Sequence, residues 1–171
     1  MNYDYRPTRQ NYLAHSTVLL LFLFSGVFFG ISGFMPGGSV VWQILGLTLL
    51  LPAIQLIARY MASRYLYRLH TYEDGHVDLE IFLYRGGDRM QMVCCVGLDE
   101  IVAAQPLTKE NARAAKGVKR YGYAQDLRPS AAAVLTLSNA DGTCEILFCP
   151  DEYMHRVIAD AVSAREAAQT A

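Results

Sequence analysis

The sequence predicts a mixed α/β membrane protein, in which a hairpin of two transmembrane helices precedes seven antiparallel β-strands and a closing C-terminal helix. Two observations lead to this prediction. Residues 16–58 form a run of 43 residues without Asp, Glu, Lys or Arg. From residue 65 onward, short alternating apolar runs are separated by turn sequences. The formal net charge of −1 over 171 residues disfavours a dedicated nucleic-acid-binding protein, which would be strongly basic.

The uncharged run is too long for one membrane span. A helix of this length would measure about 65 Å, against a hydrocarbon core of about 30 Å. The sequence MPGGS at residues 35–39 supplies the proline and the glycines of a turn. We therefore predict an N-terminal segment over residues 1–16, a hairpin over 17–58 with helices at 17–34 and 40–58, and a basic linker at 59–64.

The charges that flank the hairpin predict its orientation. Arg6 and Arg9 precede it, and Arg59 and Arg64 follow it, whereas the predicted turn is uncharged. Because basic residues tend to stay on the cytoplasmic side, we expect both termini in the cytoplasm. A cleaved signal peptide is the alternative, but its apolar region would usually be about 7–15 residues long. Here the apolar stretch is longer and a second span follows at once.

Small residues mark one face of the first predicted helix. Gly26 and Gly30 form a GxxxG pattern, and Gly33 nearly continues that face. This spacing lets two helix backbones approach closely. It is explained either by a homodimer seam or, as the favoured interpretation, by packing against the chain's own second helix near Gly46. Neither span contains an ionisable residue, so a channel or transporter is not expected.

The soluble part is predicted to contain seven strands and one helix. The Asp74-Gly75 turn between alternating apolar runs is a strong hairpin signal. The helix begins at the PDE sequence of residues 150–152, and Met154, Val157 and Ala161 give it an apolar stripe. The strands are expected at residues 65–72, 77–84, 89–96, 100–106, 118–124, 132–138 and 143–149.

This element order resembles that of a pleckstrin-homology (PH) domain, here over residues 65–171. The whole chain resembles bacterial membrane proteins of the YcxB-like type, which couple a two-helix anchor to a PH-like domain. The matching features are the hairpin, the basic linker, LDEI at 98–101, KRYGY at 119–123 and PDE at 150–152. The resemblance implies a partly open barrel closed by a helix, in a two-span protein of the bacterial inner membrane. Asp78 and Glu80 would repel an inositol phosphate at the first hairpin, so that ligand is not expected.

A basic cluster is the candidate contact site of the soluble part. Five cations lie close together against a single acid, Glu110. They are Lys109, Arg113, Lys116, Lys119 and Arg120. Near a membrane such a cluster can touch anionic headgroups, at about 1 kcal/mol per cation. The alternatives are contact with a partner protein and an ordinary solvated loop.

The cysteines and histidines predict no metal, cofactor or catalytic centre. Cys94 and Cys95 point to opposite faces of a strand, as do Cys144 and Cys149, and no CxxC clip occurs. We interpret them as reduced, largely buried thiols. The expected function is therefore a non-catalytic interaction or scaffold module with a protein or peptide partner. The alternatives are a sensor of anionic lipid that uses the basic cluster, and an enzyme with an unrecognised site.

Overall fold

The structure is a computed structural model that describes residues 2–8, 12–34, 39–85, 89–139 and 142–170. The chain divides into a helical unit and a sheet-and-helix unit. Arg9, the predicted hairpin turn at residues 35–38 and the turn glycines at 86 and 87 lie outside the described residues. The architecture of two long apolar N-terminal helices, β-sheets and a C-terminal helix is confirmed.

The helical unit consists of two helices that pack against each other. Helix α1 runs Leu13–Phe34 and helix α2 runs Ser39–Leu56, followed by a π-helical turn at Ile57–Met61. The hydroxyl of Ser25 donates to the carbonyl of Gly46 at 2.9 Å. Helix α1 begins four residues before the predicted start, and the predicted linker at 59–64 is taken up by the π-helical turn and the first residues of the next strand.

Both helices are long and apolar enough to cross a membrane. The hydroxyl groups of Thr17, Ser25, Ser32 and Thr48 donate to backbone carbonyls of the two helices, which suits a lipid environment. Thr17 donates to the carbonyl of Leu13 and Thr48 to that of Ile44, both at 2.8 Å. Within the most apolar window of each helix only 11% of the residues are buried.

The first sheet contains one strand that the sequence analysis did not predict. Strand β1 runs Asn2–Tyr5, β2 Ser63–Thr71, β3 Val77–Arg85 and β4 Met90–Gly97, in the spatial order β1-β2-β3-β4. Strand β1 is antiparallel to β2, with Tyr3 opposite Leu69. The N-terminal segment was predicted without a strand. It forms one because Tyr3 and Tyr5 pack against the core while Asp4 pairs with Arg68.

The second sheet corrects the predicted all-antiparallel pairing. Strand β5 runs Ile101–Pro106, β6 Lys119–Gly122, β7 Ala133–Asn139 and β8 Gly142–Phe148, in the order β5-β7-β8-β6. Strand β6 pairs with β8 in parallel, whereas β5 and β8 are antiparallel to β7. Strands β5 and β6 run in the same direction at opposite edges of the sheet, so residues 107–118 form a crossover and not a tight hairpin turn. The described strands thus form two four-stranded sheets, not seven antiparallel strands.

One apolar core lies within the sheet-and-helix unit. Helix α3 runs Glu152–Thr170, and the preceding Asp151 caps it by accepting a hydrogen bond from the backbone N–H of Met154 at 2.9 Å. Met154 and Ile158 are buried, whereas Val157 and Ala161 are only partly so. The hydroxyl of Tyr67 donates to the carbonyl of Tyr123 at 2.8 Å within this core. The largest fully buried sheet side chains of this core are Tyr67, Leu79, Ile81, Ile101, Leu135, Ile146 and Phe148.

Candidate functional site

The connection between β5 and β6 is held in a defined conformation. We call this connection, together with the first residue of β6, the basic loop (residues 107–119). The side-chain amide of Asn111 donates to the carbonyl of Pro106 at 2.9 Å and accepts from the backbone of Thr108 at 2.6 Å. The backbone of Val118 donates to Ala115 at 3.0 Å, and Gly117 has a φ of 84°, which favours glycine. These bonds fix the backbone from which the basic side chains project.

Arg120 holds this loop from inside the domain. Its guanidinium contacts Glu145 at 2.6 Å and donates to the carbonyls of Asn111 at 2.8 Å and Arg113 at 3.3 Å. The side chains of Arg120 and Glu145 are only 12% and 11% exposed. They meet because β6 and β8 are neighbours with Arg120 opposite Glu145. The guanidinium of Arg120 therefore makes its contacts within the domain, and Glu145 balances its charge.

The other four predicted cations are exposed: Lys109, Arg113, Lys116 and Lys119. The Nζ of Lys119 lies 4.9 Å from the ring centre of Tyr121, a cation–π distance. A hydrogen bond with Tyr121 raises the pKa of Lys119 above its ordinary value, so this amine stays charged at neutral pH. The structure thus separates the five predicted cations into four exposed charges and one structural arginine.

A cleft of about 500 Å³ opens beside helix α3. Its lining includes Val77, Leu98 and Arg165, together with His76 and Asp99. The Nε2 of His76 lies 2.8 Å from a carboxylate oxygen of Asp78, and its Nδ1 lies 3.9 Å from Asp99. Arg165 donates to the backbone carbonyls of Asp99 at 2.5 Å and Ile101 at 3.2 Å. His76 and Arg165 therefore already have hydrogen-bonding or ionic partners within the domain.

Sequence reasoning missed this arrangement because its members are distant along the chain. The available signal was the spacing of His76 and Asp78, which places both on one face at the start of β3. Asp78 also accepts from the thiol of Cys95 at 3.7 Å. Partial burial and the nearby carboxylate raise the pKa of Cys95, which keeps the thiol protonated and makes it a weak nucleophile.

The remaining cysteines occupy the interior to different degrees. Cys149 is buried, whereas Cys94 and Cys144 are half-buried. Burial raises the pKa of Cys94 to about 11. In the part of the chain that the structure describes, no group of three or more His, Cys, Asp or Glu side chains is placed to hold a metal ion.

The glycines of α1 leave one helix face open. A Cβ atom at Gly26, Gly30 or Gly33 would meet no other atom within 4 Å, apart from the adjacent backbone. A Cβ at Gly46 of α2 would instead lie 3.0 Å from the ring of Phe29. The favoured interpretation, in which the three α1 glycines pack closely against α2, is therefore wrong: the glycine in close contact between the helices is Gly46. The homodimer seam at the three α1 glycines stays a prediction.

Comparison with known proteins adds no family to these observations. No family model, no curated protein and no solved structure matches the chain. The features that bear on function are the apolar helices, the basic loop and the cleft beside α3.

Proposed function

We propose that the chain is a non-catalytic interaction or scaffold protein, anchored in a bacterial inner membrane by α1 and α2. Its sheet-and-helix unit would act as a PH-like domain on the cytoplasmic face. The observation that carries the anchor is the exposure of the apolar helices, with Leu19 70% and Leu23 61% exposed in α1 and Leu51 60% exposed in α2. Exposing such surface to water costs about 25 cal/mol per Å². A bilayer removes that cost.

The path of the chain supports a hairpin with both ends on one side. Strand β1 precedes α1 and strand β2 follows α2, yet the two strands are neighbours in one sheet. Segments in one sheet lie on the same side of a membrane, so the helices between them must cross it an even number of times. The flanking Arg6, Arg59 and Arg64 favour the cytoplasmic side.

The geometry of the domain supports binding rather than catalysis. In the cleft beside α3, His76 bonds with Asp78 and Arg165 bonds with two backbone carbonyls. Partial burial and the carboxylate of Asp78 raise the pKa of Cys95, so its thiol is not an activated nucleophile. The order of seven strands, β2 to β8, followed by α3 supports the PH-like proposal, whereas the parallel pairing of β6 with β8 departs from it. A protein or peptide is the partner that such an anchored domain would recruit.

Reporter fusions and carbonate extraction test the anchor. A fluorescent protein fused after Ala171 should be active, an alkaline phosphatase at the same place should be inactive, and the chain should stay with the membrane in alkaline carbonate. A Leu23→Arg and Leu47→Arg double variant should weaken this retention. Release of the wild-type chain by carbonate would contradict the anchor, and phosphatase activity would contradict the orientation.

Crosslinking in native membranes tests the interaction role. A partner should be recovered in a fixed ratio, and it should still be recovered when an unrelated two-helix anchor replaces residues 13–61. Loss of the partner after this exchange would assign the contact to the helices. Recovery of the chain alone in both forms would argue against a scaffold.

A further inference from the structure

We infer that the basic loop binds the anionic headgroups of a membrane surface through Lys109, Arg113, Lys116 and Lys119. The inference rests on the proposed membrane anchor, because the loop would act on the bilayer that holds the hairpin. It identifies one contact of the domain and leaves its other surfaces to a protein partner.

The first argument is the concentration of charge. The basic loop carries four exposed cations and one acid, Glu110, whereas the whole chain has a net charge of −1. Its three lysines, at 109, 116 and 119, are all the lysines of the chain. The positive charge is therefore a local property of this surface and not a consequence of a basic protein.

The second argument is that the domain does not neutralise these charges. Glu145 is paired with Arg120 inside the domain, so it leaves the exposed cations uncompensated. Among the described residues, Lys109, Arg113 and Lys116 take part in no ion pair. The bonds of Asn111 and Arg120 hold the backbone in place, which reduces the conformational entropy lost when the loop binds.

The third argument is the kind of partner that this surface fits. Neither the cleft beside α3 nor the smaller cleft near its N-terminus includes a residue of the basic loop, so the cations surround no described pocket. Dispersed charges suit a diffuse anionic surface, where each cation strengthens binding about fivefold near the headgroups. A membrane anchor on the same chain raises the effective lipid concentration, so weak contacts suffice.

Amine footprinting of the full chain tests the inference. The chain is placed in nanodiscs of phosphatidylglycerol or of phosphatidylcholine and treated briefly with an acetylating reagent. Because every lysine of the chain lies in the basic loop, lysine acetylation reports on this loop alone. We expect acetylation to be several-fold slower in phosphatidylglycerol. The difference should disappear in 1 M salt, where the Debye length is about 3 Å.

Two charge reversals provide matched variants. Arg113→Glu should weaken the contact of the loop with the lipid at least about fivefold and so remove most of the protection, since it removes one attraction and adds a repulsion. Arg156→Glu should leave the protection unchanged, because Arg156 lies exposed on α3 and contacts Glu152 instead. Arg120 is kept in both variants because it holds the loop. Equal effects of the two reversals would contradict a role specific to the loop.

Further arms separate the possible sources of the anion. Inorganic phosphate added to phosphatidylcholine nanodiscs should not protect the lysines. Protection by phosphate would show that the loop binds a free anion and not a membrane surface. Protection by a soluble polyanionic peptide or nucleic acid, without protection by phosphatidylglycerol, would likewise overturn the inference. Equal acetylation rates in the two lipids, with the chain recovered in the nanodiscs, would overturn the inference about the basic loop and leave the proposed anchor standing. Failure of the chain to enter nanodiscs would overturn the anchor and this inference with it.

Discussion

Asp4 and Arg68 form a two-point ion pair between the first two strands. The Nε of Arg68 lies 2.6 Å from one carboxylate oxygen of Asp4, and a terminal nitrogen lies 2.9 Å from the other. Asp4 precedes the helical hairpin and Arg68 follows it. The pair therefore joins the two chain segments between which α1 and α2 are inserted. Next to it, the hydroxyl of Tyr3 donates to the carboxylate of Asp151, and this bond raises the pKa of Tyr3 to about 12.

Removing this pair should loosen β1. The side chains of Arg68 and Asp4 are 25% and 44% exposed, so the pair contributes at most about 1 kcal/mol. We expect Asp4→Asn to raise hydrogen exchange of the β1 amides up to about fivefold, and Arg68→Gln to add little to it. Exchange mass spectrometry of the full chain in detergent measures both effects. Glu73→Gln, in the exposed turn after β2, is the control. Unchanged β1 exchange in Asp4→Asn would show that the pair does not hold the strand.

The same pair predicts an acid-sensitive contribution to β1 docking. The hydrogen bond from Arg68, against a smaller opposing effect of burial, lowers the pKa of Asp4 below its ordinary value of about 4. A lowered folded-state pKa means that the stabilisation is complete above the unfolded value and is lost as the pH falls through the folded one. The protection of the β1 amides, measured relative to their intrinsic exchange rate at each pH, should therefore decrease below about pH 4 in the wild type. The Asp4→Asn variant should lack this pH-dependent loss of β1 protection. An NMR titration in which Asp4 shows its ordinary pKa would contradict the prediction.

Hydrophobic pattern and turn chemistry were sufficient to predict most of the elements. The uncharged run predicted two helices, although α1 starts at Leu13 and not at residue 17. The Asp74-Gly75 turn was correctly identified, since Tyr72 donates its backbone N–H to the carbonyl of His76 at 2.8 Å. These signals depend only on residues that are close in sequence, so they can be recognised without knowing the fold.

The features that the sequence did not predict depend on distant contacts. Strand β1 has four residues, too few for a period, and its partner lies beyond the hairpin. The parallel direction of β6 depends on the route of residues 107–118. Among the clustered cations, only the pairing of β6 with β8 distinguishes Arg120, which meets Glu145, from the exposed Arg113. A list of charges does not contain that information.

The pair of Arg120 and Glu145 predicts unequal effects of two neighbouring arginines. Arg120→Met would leave the carboxylate of Glu145 buried without its partner, at a cost of about 3 kcal/mol. Arg113→Met replaces an exposed side chain and should change stability by less than about 0.5 kcal/mol. Denaturant unfolding of the full chain in detergent, followed by a signal from the sheet-and-helix unit, compares them. A Glu145→Leu change added to Arg120→Met should restore part of the loss, and equal stability of the two single variants would contradict the pairing.

The open glycine face of α1 predicts that dimerisation and hairpin stability can be separated. A Cβ at Gly30 would meet no atom within 4 Å outside the adjacent backbone and Gly30 is exposed, so we expect Gly30→Leu to leave the helical hairpin intact. If Gly26, Gly30 and Gly33 form a homodimer seam, the same change should lower the crosslinked dimer several-fold, because close backbone approach is lost. Gly46→Leu is the matched contrast, since its Cβ would lie 3.0 Å from Phe29 and should lower the thermal stability of the hairpin. Crosslinking and thermal unfolding in detergent measure the two properties in parallel. An unchanged dimer yield in Gly30→Leu would exclude the seam, and a loss of hairpin stability in that variant would contradict the open face.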